Sequence, residues 1–501
     1  MVQRVDIGLI ILHHGSVDTE DIRDRVLEAY QQGPNAVIDL VVEVVTDLAA
    51  QVAVLSAENA ELRARLGTNS RNSSKPPSSD GPGVKPHPKS QRKTSGRKPG
   101  GQRGHPGHTL RLVDRPDEVK VHAPVDCHSC GESLREVEAI RCERRQVVDI
   151  PVVKARVVEH QAETKRCPEC GSETSGTFPE GVAGPVQYGP GVATVAVYLN
   201  QEQLLPQERT CQVLADLFSC PISEGTLENA VEQCHEQLAE VEGAIKAGVE
   251  RARVAHFDET GMNVGGKSHW LHVASTAGLT FYARHKRRGR VALDEVGVLP
   301  KFLGRAMHDG LVSYWQYTHC KHALCNAHHL RELTFVEEQL GQGWAKDLKE
   351  LLLEIKRAVD EARRQGLDAL LAEVKQDFGS RYDAVLEVGL QANPPPERTG
   401  KRGRPKLGKA GSFLERLRQH KAETLAFMED FAIPFDNNQA ERDIRMMKVR
   451  EKISGCFRTT IGADRFCRIR GYISTLRKQR VPILPALAKA ITGAPPMPST
   501  T

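Results

Sequence analysis

Apolar residues recur at heptad spacing from Val41 to Leu66: Val41, Leu48, Leu55 and Leu62 take one seam position, and Val45, Val52, Asn59 and Leu66 the other. A seam this narrow predicts a short coiled coil over residues 37–68, with Asn59 as the buried polar residue that fixes register and a two-stranded state. Glu58 and Arg63 fall where charges pair across partners. The competing reading is an amphipathic helix packed on its own chain. The pattern stops at "GTNSRNSSKPPSSDGPG", a run of helix breakers. Helical periodicity returns over residues 183–250, where "PQERTCQVLADLFSCPISEGTLENAVEQC" reads as two helices around a short turn, with Ser223 as N-cap of the second. That spacing suits a helix-turn-helix, and equally an antiparallel helix pair with no DNA role.

After Arg251 the period becomes two. "RVAHFDETGMNVGG", "SHWLHVAST" and "LTFYARHKRR" predict three antiparallel strands in a meander. Asp258 lies within the first, and alternation sends Phe257 and Asp258 to opposite faces. An acid in mid-sheet is costly unless a cation compensates it, and a metal ion is one such cation. Asp309 in "MHDG" ends a short apolar segment, and taken alone it reads as a structural turn residue. Further on, "AKDLKELLLEIKRAVDEARR" and "FLERLRQHKAETLAFMEDF" are amphipathic helices. They fall within the 131 residues that separate Asp309 from Glu441, too many for a loop, so a helical insertion is expected.

Composition adds compartment and partners. A chain of 501 residues with 39% hydrophobic content divides into several domains. The net charge of +5 is modest, but between Lys85 and Arg111 there are eight Lys or Arg and no Asp or Glu. Such a tether is either a solvated linker or a phosphate contact through Arg92, Lys93, Arg97 and Lys98. A second basic stretch, "PPPERTGKRGRPKLGK", contains "RGRP", whose Arg402 and Arg404 suit a narrow minor groove or a plain basic loop. No apolar run reaches a signal core or a membrane span, so a cytoplasmic protein is expected, with its twelve cysteines reduced or metal-bound. Cys127 and Cys130 in "CHSC", then Cys167 and Cys170 in "CPEC", form two knuckles that predict a closed, structural zinc site. Cys142 and nearby histidines are alternative ligands. The alternating stretch between the knuckles predicts a two-stranded ribbon.

"PFDNNQAERDIRMMKVREK" poses a choice at Glu441. Asn438 and Glu441 have capping-box spacing. Asp436 or Asn437 can cap instead, which frees Glu441 in the first turn. Glu441, Arg445, Lys448 and Lys452 then share one helix face, a basic stripe that capping alone does not call for.

The strings "HFDETGMNV", "HDG", "CNAHHLREL" and "PFDNNQAERDIRMMKVREKISGCFR" resemble the motifs of the insertion-sequence-66 family of bacterial transposases. The linker "GRKPGGQRGHPG", the knuckles and the coiled coil match that family's layout, over about residues 40–490. The resemblance implies a DDE transposase with a ribonuclease-H-like core, its acids Asp258, Asp309 and Glu441 holding two Mg²⁺ ions beside a structural Zn²⁺. His328 and Arg331 would contact phosphate near the metals or pack the core. Transposon-end and target DNA are the implied partners in the bacterial nucleoid, with a homodimer or higher oligomer through the coiled coil and accessory proteins from the same element. The rival readings are a catalytically inactive zinc-containing DNA-binding regulator and a lone hydrolytic nuclease.

The expected fold class is multidomain α+β. Along the chain the expected order is an N-terminal segment (1–36), the coiled coil (37–68), the basic linker (69–115), a zinc ribbon (116–182), a helical DNA-binding domain (183–250), a first segment of the catalytic core (251–335), a helical insertion with a basic loop (336–424), a second segment of the catalytic core (425–490) and a tail (491–501).

Overall fold

The computed structural model describes residues 19–69, 71–73, 110–395 and 407–500. Arg92, Lys93, Arg97, Lys98, Arg402 and Arg404 lie outside the described residues. The chain forms two compact units: the N-terminal helices group with Asn326–Lys421, while the second unit runs to Cys325 and resumes at Ala422. The helix that starts at Asn326 packs on the helix that follows it, and both belong to the first unit.

In the first unit, α1 (Thr19–Gln32) packs on α2 (Pro34–Leu66). Gly33, at φ 111°, makes the break between them, and Pro34 opens α2, where its missing N–H costs no helical bond. Arg25 pairs with Glu43 at 3.1 Å across the two helices. The heptad residues Val41, Val45, Leu48, Val52, Leu55 and Leu62 are each more than half exposed in the single chain.

The two cysteine knuckles open the second unit and share one backbone turn. Gly131 and Gly171, at φ 78° and 73°, each donate an N–H to the carbonyl of Cys127 or Cys167 at 2.9 Å. The second knuckle is clasped by β1 (Thr164–Arg166) and β2 (Glu173–Ser175), paired antiparallel. The expected ribbon between the knuckles is not formed: Val147, Ile150 and Val152 are each more than four-fifths exposed, and no strand spans them. Residues 144–166 contain no glycine or asparagine to reverse the chain, and Pro151 removes a ladder donor, so alternation alone does not make a hairpin.

Four helices follow: α3 (Pro190–Val197), α4 (Gln207–Phe218), α5 (Glu224–Gln237) and α6 (Ala239–Glu250). Ser223 caps α5 as expected, its Oγ accepting the Thr226 N–H at 3.0 Å. The sheet is built from β3 (Val254–Val264), β4 (Lys267–Ser275) and β5 (Thr280–His285), then, after α7 (Arg290–Val296), from β6 (Arg305–His308) and β7 (Lys321–Leu324). The strand order is β5-β4-β3-β6-β7. The first three strands form the expected meander, with Gly265 and Gly266 both at positive φ in a two-residue turn. β6 and β7 run parallel to β3, with His256 opposite Met307.

The chain then passes back to the first unit through α8 (Asn326–Leu340), α9 (Gly343–Arg364), α10 (Ala372–Ala392) and α11 (Lys409–Gln419). Trp344, Leu348, Leu351, Ile355, Val359 and Ala362 form one buried stripe along α9. Gly389 of α10 lies against Leu414, where a Cβ would come within 2.6 Å of that side chain. Two short turns, α12 (Lys421–Thr424) and α13 (Ala426–Glu429), return the chain to the sheet unit, which ends with α14 (Asn438–Ser454), α15 (Thr460–Lys478) and α16 (Ile483–Ile491).

α14 packs on β3 and β4, and α15 on β5. Ala440, Ile444 and Met447 bury themselves with Met262, Val264, Leu271 and Val273, the same sheet face as Asp258. Gly471 lets α15 come close, since a Cβ there would meet the Thr280 carbonyl at 3.1 Å. Arg465 joins Glu228 and Glu232 of α5, Arg468 joins Glu242 of α6, and Arg470 and Arg477 share Glu202. With Glu224 and Glu236, the α5 acids make a four-residue stripe at helical spacing and leave no Lys or Arg on that helix. Glu228 and Glu232 of this stripe are thereby held to α15.

Lys478 is the buried cation that holds α14 in place. It binds Asp443 at 2.7 Å and the carbonyls of Thr276 and Leu279 at 2.9 Å each, and the Lys478 and Asp443 side chains are only 11% and 9% exposed. Lys478→Met leaves Asp443 buried without its cation, at an expected cost of about 3–5 kcal/mol in urea denaturation. The double change Lys478→Met with Asp443→Leu should recover much of that loss.

Candidate active site

Register places the first two acids side by side. β3 and β6 are parallel with His256 opposite Met307, so two residues further along each chain come Asp258 and Asp309. Asp309 stands just past the end of β6, where its Oδ1 accepts the Leu311 N–H at 2.9 Å and Gly310, at φ 96°, turns the chain. The residue before it is fixed as well: His308 accepts the Gly310 N–H on Nδ1 at 3.0 Å. Its Nε2 therefore carries the proton and donates to His322 Nδ1 at 3.0 Å, and His322 Nε2 in turn donates to the Tyr317 carbonyl at 3.1 Å. Two neutral imidazoles thus brace the turn that presents Asp309.

Glu441 approaches from α14. The helix begins at Asn438, with the Asp436 Oδ1 accepting the Asn438 N–H at 3.1 Å, so Asp436 does the local capping and the Asn438–Glu441 capping box is not formed. Glu441 is half-buried in the first turn, its N–H bonded to the Asn437 carbonyl at 3.2 Å.

These three acids interact electrostatically. Burial pushes the Asp258 carboxyl well above the ordinary aspartate range; the charges of Glu259, Asp309 and Glu441 push it the same way, against one hydrogen bond from the Glu259 N–H. Among the described residues no Lys or Arg forms an ion pair with Asp258 or Asp309. Hard carboxylate oxygens that act on one another without a paired protein cation suit a divalent cation such as Mg²⁺, although among the described residues the ligand atoms of these three acids do not all lie within 4.8 Å of one another.

Glu259, which sequence reasoning passed over, lies on the opposite sheet face and is neutralised. Its Oε1 accepts from Arg288 Nε at 2.7 Å and its Oε2 from the Tyr314 hydroxyl at 2.6 Å. Arg288 also sits 5.0 Å from the centre of the Trp270 ring. Tyr314 belongs to the segment just after Asp309, so Glu259 ties that segment to β3. The signal in the sequence was an acid directly following Asp258, with an aromatic run after "HDG".

Arg445 and Lys452 are exposed on α14, whereas Lys448 is engaged, donating to the Gly261 carbonyl at 2.8 Å and to Glu451 at 3.2 Å. His328 and Arg331 lie on α8, in the unit of the helical insertion. Hydrogen bonds from the backbone of Ser129 and Cys130 and with the Cys130 side chain hold the Cys127 thiol below its ordinary range, and bonds with Ser172, then Cys167, do the same for Cys170. Among the described residues Cys127, Cys130, Cys167 and Cys170 do not form a set whose sulfurs all lie within 4.8 Å; each knuckle is formed separately.

A family model described as the transposase IS66 family matches residues 185–465. A second, described as a family of unknown function (DUF6444), matches residues 25–111. Comparison with curated proteins gives no match. The first match covers more than half of the 501 residues, and the chain belongs to the IS66 family of transposases. Among the described residues no helix is long and apolar enough to cross a membrane.

A carboxyl whose folded pKa is raised holds its proton more tightly folded than unfolded, so stability falls as pH rises from the unfolded value through the raised one. Asp258→Asn should therefore raise the melting temperature of chelator-treated protein at about pH 8, with the gain fading towards about pH 4. A gain of equal size at both pH values would show that the charge on Asp258 is not its source.

Proposed function

We propose that this chain is a DDE-type DNA transposase, with Asp258, Asp309 and Glu441 as the acids that hold two Mg²⁺ ions. The observation that carries the reading is the β3–β6 register that sets Asp258 level with Asp309; the Asp258 carboxyl is raised first by burial and then by the charges of Glu259, Asp309 and Glu441. A ribonuclease-H-like core is supported by the mixed five-stranded sheet, with the first acid on its central strand, the second at the end of the parallel neighbour and the third on a helix across the sheet.

When bound, the divalent ions supply positive charge to the attacking and leaving oxygens of an in-line phosphoryl displacement. The chain's own residues supply the geometry. The carboxylates of Asp258 and Asp309 are held at adjacent strand positions, and Glu441 is held on a helix pinned by Asp443 and Lys478. Exposed Arg445 and Lys452 follow Glu441 along α14 and offer cations to the DNA backbone. In this reading water attacks at the transposon end, and the freed 3′ hydroxyl then attacks target DNA at the same acids, with no covalent enzyme intermediate. A binding-only regulator is disfavoured, because three acids near a polyanion repel it unless a divalent cation intervenes.

The two cysteine knuckles are proposed to share one structural zinc, on the strength of their matching turns and their lowered thiols. Self-association is proposed through α2, whose apolar seam lies exposed in the single chain.

Asp258→Asn, Asp309→Asn and Glu441→Gln should each lower Mg²⁺-dependent cleavage and joining of transposon-end DNA by on the order of 10³-fold or more, with end binding intact. Retained joining in any one of them removes that residue from the site. Metal analysis of the purified chain should give about one zinc, lost in Cys127→Ser or Cys170→Ser. Light scattering should give a dimer or larger, and Leu48→Glu with Leu55→Glu should give a monomer of unchanged helicity.

A further inference from the structure

Asn437 occupies the cap position of α14, yet its side chain caps nothing in that helix. It is 1% exposed and turned to the sheet instead. Nδ2 donates to the Phe257 carbonyl at 2.9 Å, Oδ1 lies 2.8 Å from His256 Nδ1, and the main-chain N–H meets Cys325 Sγ at 3.1 Å. A carbonyl oxygen can only accept, so the amide orientation is settled: Nδ2 faces Phe257, Oδ1 faces His256, and His256 carries its proton on Nδ1.

Each of these partners adjoins an acid. The Phe257 carbonyl belongs to the peptide bond that enters Asp258, just past the last β3 residue paired with β6. His256 is two residues before Asp258 on the same face. Cys325 follows β7, the neighbour of the strand that leads to Asp309, and its N–H bonds the His308 carbonyl at 3.0 Å. At its other end, the Asn437 carbonyl takes the Glu441 N–H. One buried amide therefore joins the strand of the first acid to the helical turn of the third.

We propose that Asn437, braced by His256, is a positioning residue that sets Glu441 against Asp258 and thereby the affinity of the acid site for divalent cations. The proposal rests on the DDE reading. Asn437 touches neither DNA nor cation in it; losing the residue loosens the acids without removing one.

The test is Mn²⁺ binding by the full chain without DNA, read from the free-ion electron paramagnetic resonance signal. Asn437→Ala is expected to weaken Mn²⁺ binding by roughly 10-fold or more, the usual effect of removing a group that orients a ligand. The same substitution placed on Glu441→Gln should weaken it no further, which a general loss of structure would not reproduce. Wild-type affinity in Asn437→Ala, or an equal loss in the Glu441→Gln background, overturns the proposal. Should Asn437→Ala fail to fold, His256→Phe removes only the bracing donor: it is expected to weaken Mn²⁺ binding in the folded protein, and unchanged affinity there overturns the proposal equally. If wild-type Mn²⁺ binding is indifferent to Asp258→Asn and Glu441→Gln, the acid-site reading itself fails and this proposal falls with it.

Discussion

The desolvation of Asp258 on the central strand, to which the charges of neighbouring carboxylates add, is the constraint at the centre of the proposed site. Asp258 is desolvated on the central strand, with Asp309 beside it and Glu441 across from it, and no ion pair relieves the two aspartates among the described residues. A fold left to minimise its own electrostatic energy would turn such groups towards water. Here the surrounding bonds prevent that. The Lys478–Asp443 pair fixes α14, the His308–His322 chain fixes the turn at Asp309, and Asn437 fixes the first turn of α14 to β3. The next acid along, Glu259, shows the contrast: it is compensated by Arg288 and Tyr314 and serves as a strut.

The sheet, α14 and α15 all lie in one compact unit, although the chain leaves that unit after Cys325 and returns at Ala422. The intervening helices add no strand and none of the three acids. The IS66 match runs from residue 185 to 465, across the sheet and the intervening helices alike. The other match, residues 25–111, joins most of the N-terminal helical hairpin to the basic linker as one separate piece.

Much of this was legible in the sequence because the signals were local. Period-two alternation gave the meander, breakers ended α2 within a residue or two of the expected position, and Ser223 capped α5. Asp258 was legible as an acid out of place in a strand. What stayed hidden depends on partners far along the chain. Alternation between the knuckles reads as a ribbon, but with no glycine or asparagine to reverse the chain no hairpin forms there. The glutamates of α5 read as a solvated face until Arg465, more than two hundred residues later, claims Glu228 and Glu232. Asn437 reads as a cap because capping is the local use of asparagine; its bonds to Phe257 and His256 span 180 and 181 residues.

The most direct measurement is a crystal structure of the chain soaked in Mn²⁺, with the ions located by anomalous scattering. Peaks coordinated by Asp258 together with Asp309 and Glu441 are the expected result, with Glu259 still bound to Arg288. Mn²⁺ bound elsewhere, with Asp258 holding a proton and no ion, would contradict the claim that these three acids form one metal site.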